Sequence, residues 1–257
     1  MADILLENIE SGVEKKPMPN PLNWQFSMLT LAKDSAKNIL PKKVSLKDKF
    51  GACYKQIWNN CTSNAAVACD AYYYHDPKGK WEPSTTFTFY VQRAMVDKSL
   101  TKENTGTSVE NALDAVRKYG VCNSTVWPND ISYKKKPTAE AYKDGLKGHE
   151  VTKYYQVKNL TQIKQALAKG YPVAVSMTWA FRTCDGNTWK LNEVSKAEAK
   201  KCNCGHAVVI VGYDEERKVF EIRNSHGSNW CNHGYAYISY ETMKNVIWFD
   251  DSYAVVR

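Results

Sequence analysis

Long apolar runs are missing from this 257-residue chain; none approaches the roughly 20 residues that cross a bilayer as a helix, which excludes a helical membrane protein. The signature of a secretory leader is missing too. Asp3, Glu7 and Glu10 stand where a leader needs basic residues and an apolar core, so the expectation is a non-secreted protein, cytoplasmic or virion-associated. No internal repeat, low-complexity segment or long linker divides the chain, which excludes a repeat array and independently tethered domains. The net charge is +8, yet the lysines are scattered, with short clusters only at 134–136 and 200–201. Without a basic helix or an aromatic-basic module beside them, no nucleic-acid partner is expected.

At 43% hydrophobic and 24% charged, the chain can bury a full core. Its eight cysteines are read for a reducing compartment. The sequons at Asn60, Asn123 and Asn159 are coincidental in a non-secreted protein.

One stretch, 56–71, is chemically loaded. Gln56 precedes the turn-forming pair Asn59 and Asn60, and small or apolar residues then recur at helical spacing at Cys61, Ala65, Ala68 and Tyr72. This predicts a helix with Cys61 on its first turn and Asn59 or Asn60 as the N-cap. The positive end of a helix favours a thiolate, the nucleophilic form of cysteine. Taken alone, a cysteine in such a helix is more often structural. A second stretch supplies what a thiol nucleophile needs: His206 starts an apolar strand running to Tyr213, and Asn224 ends the next. A two-strand hairpin sets such ends side by side.

The order Cys61, His206, Asn224, preceded by Gln56, resembles the papain family of cysteine peptidases. It fits in particular the branch with a Cys-Thr-x-Asn-Ala phrase, here Cys61 to Ala65, and a Leu-Pro-x-x-Val-x-Leu-(Arg/Lys) phrase, here Leu40 to Lys47. The phrase from Pro83 through Ser84, Phe87 and Tyr90 to Arg93 resembles the same branch, as do Gly120-Val121-Cys122 and Trp127-Pro128. The resemblance implies an α+β, papain-like fold of two lobes with the active-site cleft between them. A helical lobe over about residues 50–150 would carry Cys61, and a sheet-rich lobe over about 151–257 would carry His206 and Asn224. It further implies a monomeric peptidase that cleaves a peptide or protein substrate through a Cys61 acyl-thioester, without cofactor. His206 would be general base and acid, Asn224 would orient it, and Gln56 would stand in the oxyanion hole. Residues 1–39 would form an N-terminal extension, as pro-segment, strap or lid, ahead of a peptidase domain at 40–257. The alternatives are a deubiquitinating or other amide-cleaving hydrolase, and a catalytically silent fold used for binding.

The chain departs from the family phrases at several points. Lys55-Gln56-Ile57 replaces Asp-Gln-Gly, the gap from Gln56 to Cys61 is one residue short, and His226 replaces the tryptophan of Asn-Ser-Trp-Gly. Trp179 and Phe181, just past a strand end, and the tryptophan Trp230 are candidates to line the cleft. Cys202, Cys204, His206, Cys231 and His233 lie close in sequence, but their spacings are shorter than usual zinc pairs, so no metal is expected. They are instead buried thiols or a local disulfide, with Cys184 as a candidate partner.

The remaining pattern predicts an extended strap over 12–23 and a short amphipathic helix around 24–32. Further helices are expected from Cys61 to about His75, after a Ser84 cap, from a Thr107–Glu110 capping box to Gly120, and from 160 to 169. Strands are expected at 173–177, 206–213, 219–223, 236–239 and 252–256.

Overall fold

Small side chains decide where the first helix can lie. α1 (Cys61–Tyr74) is made largely of alanine, serine, threonine and cysteine, and it is buried at eleven of its fourteen positions. A helix without a polar face belongs inside the molecule. The computed structural model describes residues 4–5, 40–74, 81–98, 102–147 and 153–257, so the strap and helix expected between 12 and 32 lie outside the described residues. Asn60 stands at the head of α1, where its carbonyl accepts the Asn64 N–H at 3.0 Å. Its side-chain oxygen has no partner, and Asn59 is bound instead to Asn104. The helix thus starts where expected, but without the side-chain cap.

α2 (Thr85–Val91) is capped by Ser84, whose Oγ accepts the Phe87 N–H at 3.0 Å. α3 (Val109–Tyr119) corrects the expected capping box. Ser108, not Thr107, is the N-cap, accepting the Asn111 N–H at 3.1 Å. The N–H groups of Val109 and Glu110 donate to the Asp251 carboxylate at 2.9 and 3.2 Å, so a residue near the far end of the chain satisfies two donors of the first turn. Gly120 closes the helix at φ 68°. α4 (Ala139–Gly145), α5 (Leu160–Ala168), α6 (Lys196–Lys201) and α7 (Tyr240–Val246) complete the described α-helices, beside a 3-10 turn at Lys47–Lys49 and a π-helical stretch at Gln92–Asp97.

The strands are β1 (Ile4–Leu5), β2 (Lys43–Ser45), β3 (Lys153–Gln156), β4 (Val173–Thr178), β5 (Thr183–Cys184), β6 (Gly205–Asp214), β7 (Val219–Arg223), β8 (Tyr235–Ser239) and β9 (Ile247–Val256). Seven form one antiparallel sheet in the order β3-β9-β4-β6-β7-β8, with β2 also paired to β6; β1 pairs with β5 apart from it. β9 begins five residues earlier than expected, because a register shift between Val175 and Ser176 lets it pair with β4 a second time at Trp248 and Ile247.

β6 divides two cores by its alternation. Ala207, Val209 and Val211 pack with Ala65, Ala66, Val109 and Leu113 of the helices. Val208 and Ile210 face Val175, Phe220, Ile222 and Ile238. Gly212 is squeezed between β2 and β7, and a Cβ there would strike the Val44 carbonyl oxygen. With helices in the first half and nearly all the sheet in the second, the α+β architecture is as expected, and β6 brings both halves to the site.

Candidate active site

The hairpin of β6 and β7 does the first positioning. Val209 pairs with Arg223, so the residues before Val209 and after Arg223 run alongside each other. His206 Nε2 lies 2.8 Å from Asn224 Oδ1. The backbone N–H of Ser225 donates to the same Oδ1 at 2.8 Å, and since a backbone N–H only donates, that amide terminus is the oxygen. His206 therefore carries its proton on Nε2 and presents a lone pair at Nδ1. The ring is only 1% exposed. Burial pushes the imidazole down to about 4, against the opposing pull of its bond to Asn224. At neutral pH His206 is a neutral proton acceptor.

Gln56 arrives from the other half of the chain. Its backbone N–H donates to the Ser225 carbonyl and the Gly227 N–H donates to the Tyr54 carbonyl, both at 2.8 Å. The buried Arg223 guanidinium donates to the Ala52 carbonyl at 2.6 Å and lies 4.6 Å over the Tyr54 ring. Residues 52–56 are thus bonded along 223–227. Ser225 Oγ–H donates to Gln56 Oε1 at 2.6 Å, while Gln56 Nε2–H donates to the Trp58 carbonyl at 3.3 Å. Sequence reasoning missed Ser225, whose one signal was its place beside Asn224.

Cys61 is the first residue of α1, buried and outside the disulfide. It shares an apolar cluster with Ala207, the residue after His206. Trp179 follows β4, and its N–H donates to the Cys204 carbonyl at 2.8 Å. Its ring centre is 4.6 Å from that of His206 and 5.0 Å from that of Phe181. Trp230 lies 6.2 Å from Trp179. Trp179 therefore walls in the imidazole, and Trp230 stands behind it. Phe181 backs Trp179, and both line a cavity of about 310 Å³ with Arg182, Lys201 and Cys202. His226 joins this aromatic group, 5.0 Å from His206, and Asn224 Nδ2–H donates to its Nδ1 at 3.1 Å. Burial, and after it the neighbouring His206, push His226 down to about 3.

Cys184 forms a disulfide with Cys231, next to Trp230. Cys202 and Cys204 remain thiols, and among the described residues no three His, Cys, Asp or Glu side chains gather as metal ligands. Nor, among them, is any helix long and apolar enough to cross a membrane.

A model of the papain family of cysteine proteases matches residues 52–254. An uncharacterized peptidase C1-like protein of Acanthamoeba polyphaga mimivirus is 27% identical over 228 residues, which is 81% of this chain and 72% of the relative. The crystal structure of xylellain, a cysteine protease from Xylella fastidiosa, superposes with a TM-score of 0.76 at 24% identity, covering 99% of this chain and all of the other. A digestive procathepsin L from the larval midgut of Tenebrio molitor superposes with a TM-score of 0.62 at 14% identity, over 92% of this chain and 74% of the other. At these identities the solved structures speak to the fold.

Proposed function

The chain belongs to the papain family of cysteine proteases, and from that membership we propose that Cys61 is its nucleophile, His206 its general base and acid, Asn224 the group orienting the imidazole, and Gln56 a donor to the oxyanion. The observation that carries this is one bonded series, His206 to Asn224 to Ser225 to Gln56, beside a helix headed by a cysteine.

His206 Nδ1 takes the Cys61 proton, and the thiolate formed at the head of α1 is favoured by the helix dipole and by the new imidazolium. Sulfur attacks the peptide carbonyl, whose oxygen becomes negative. Gln56 Nε2–H, leaving its long bond to Trp58, and the backbone N–H at the start of α1 are donors suited to that oxygen. The imidazolium then gives its proton to the leaving amine as the carbon–nitrogen bond breaks. Water, deprotonated by His206, hydrolyses the thioester and frees the thiol. As a cysteine-type peptidase the protein acts on proteins or peptides; a monomer suffices for this chemistry.

The test is labelling with a broad epoxide inhibitor of papain-like enzymes under reducing conditions, the adduct being located by mass spectrometry. Adduct on Cys61 is expected. No labelling, even after residues 1–39 are removed, would refute an activated thiol. Cleavage of ubiquitin conjugates in preference to ordinary peptides would replace the general peptidase with a deubiquitinating one. The pairing of β1 with β5, two residues past Phe181, supports assigning residues 1–39 as a pro-segment or strap. A cut before Lys42 with a rise in activity is expected on incubation, and full activity of the uncut chain refutes autoinhibition.

A further inference from the structure

We propose that His226 is a positioning residue: by accepting the Asn224 side-chain N–H at Nδ1, it holds the amide that keeps His206 in its proton-accepting tautomer. This rests on the assignment of His206 and Asn224 made above. The Ser225 backbone N–H fixes Asn224 Oδ1 as oxygen, so the opposite terminus is the NH₂ group, and it lies 3.1 Å from His226 Nδ1. That nitrogen must offer a lone pair, which makes His226 neutral with its proton on Nε2. The same Oδ1 receives the His206 Nε2–H at 2.8 Å. One hydrogen pattern thus runs through all three side chains, and His226 is its terminal acceptor. An indole at this position would fill the space, but its single polar atom is a donor and could not receive the amide N–H.

The surroundings enforce this role. The His226 ring is faced by Trp179 at 5.8 Å, Trp230 at 5.7 Å and His206 at 5.0 Å. Its Nε2 is buried without a hydrogen-bond partner. From the opposing segment, exposed Lys55 meets it through a backbone bridge, and the adjoining Gln56 and Ser225 are uncharged. His206 is therefore the titratable side chain facing it. Protonating His226 would set an N–H against the Asn224 NH₂ and place a second positive charge beside a ring that is itself charged in the thiolate–imidazolium pair. Charge on one imidazole disfavours charge on the other, and burial together with His206 holds the His226 proton affinity low.

The test uses the full-length protein with His226→Phe, which keeps a ring and loses the acceptor, and His226→Gln, which restores an oxygen acceptor. Three quantities are read: kcat and KM on a fluorogenic peptide amide, the pH dependence of Cys61 alkylation by iodoacetamide mapped by peptide mass spectrometry, and the proton NMR signal of His206 Nε2–H. Expected for His226→Phe are a kcat lower by about 10- to 100-fold, by analogy with the loss of hydrogen-bond partners that orient metal-binding histidines, with KM little changed, slower Cys61 alkylation at neutral pH and a weakened His206 signal. His226→Gln should recover most of each. An unchanged kcat in His226→Phe overturns the proposal, and so do equal losses in both variants with the His206 signal unmoved, which would make His226 mere filler. Wild-type turnover by Cys61→Ser would instead overturn the nucleophile assignment, whatever His226 does.

Discussion

Replacing Ser225 by alanine removes one hydroxyl and leaves the backbone bond between Gln56 and Ser225 in place. The lost bond is a 2.6 Å contact between two neutral side chains largely out of water. Such a bond contributes about 0.5–1.5 kcal/mol net. If all of it serves to aim the Gln56 amide, kcat should fall by about 2- to 13-fold, at 1.36 kcal/mol per factor of ten. Gln56→Ala removes the donor itself and should lower kcat by about 10²- to 10³-fold. Because the hydroxyl acts only through the glutamine, the double variant should be no slower than Gln56→Ala, and the coupling should equal the whole effect of Ser225→Ala. Steady-state kinetics on one peptide amide, with thermal melts of all four proteins to verify folding, measure the cycle. Full additivity would refute the linkage, and so would wild-type turnover by Ser225→Ala.

Acid should destabilise the fold. His206 and His226 bind protons more weakly folded, at about 4 and about 3, than at the usual 6.5, so the unfolded chain takes up more protons and stability drops as pH falls below about 6.5. For His206 alone the loss is of order 3 kcal/mol once pH passes below its folded value; a melting temperature flat from neutral to acid pH would contradict this. Gly212→Ala should destabilise by about 2 kcal/mol or more, since backbone must move to admit the methyl group, and an unchanged urea midpoint would refute the close approach of β2. Asp251→Ala leaves the Val109 and Glu110 N–H groups and the Ser176 hydroxyl without their acceptor. It should lower stability by about 2–4 kcal/mol, and Asp251→Asn should recover part of that; equal melts of wild type and Asp251→Ala would show the carboxylate to be dispensable.

Features set by nearby residues were legible in the sequence. The helix headed by Cys61, the Ser84 cap and β7 are decided within a few positions, by helical spacing, a hydroxyl before an apolar run and an alternation bounded by turns. α4, α6 and α7 escaped notice because each is six or seven residues long, with too few apolar positions to set a period. The head of α3 was misassigned by one residue because two hydroxyls stand side by side and Ser108 is the one that caps it, while the further acceptor, Asp251, is supplied by β9, which no local pattern can reveal. At the site, His206, Asn224 and Gln56 were marked by order, and Ser225 joins the last two, by its backbone N–H to Asn224 and its hydroxyl to Gln56. His226 was visible as a departure. Its bond to the Asn224 amide depends on where two ring nitrogens point, which only folding fixes.

The strip where 52–56 lies along 223–227 also joins residues 171 apart in sequence. It leads toward α1 on one side and emerges from β7 on the other, so it fastens the approach to the helix against the end of the hairpin. Main-chain bonds between the two segments, and not side chains alone, therefore keep Gln56 beside Ser225 and Asn224. Exchange of one side chain leaves the two segments joined, so such variants report on the chemistry rather than on the assembly of the site.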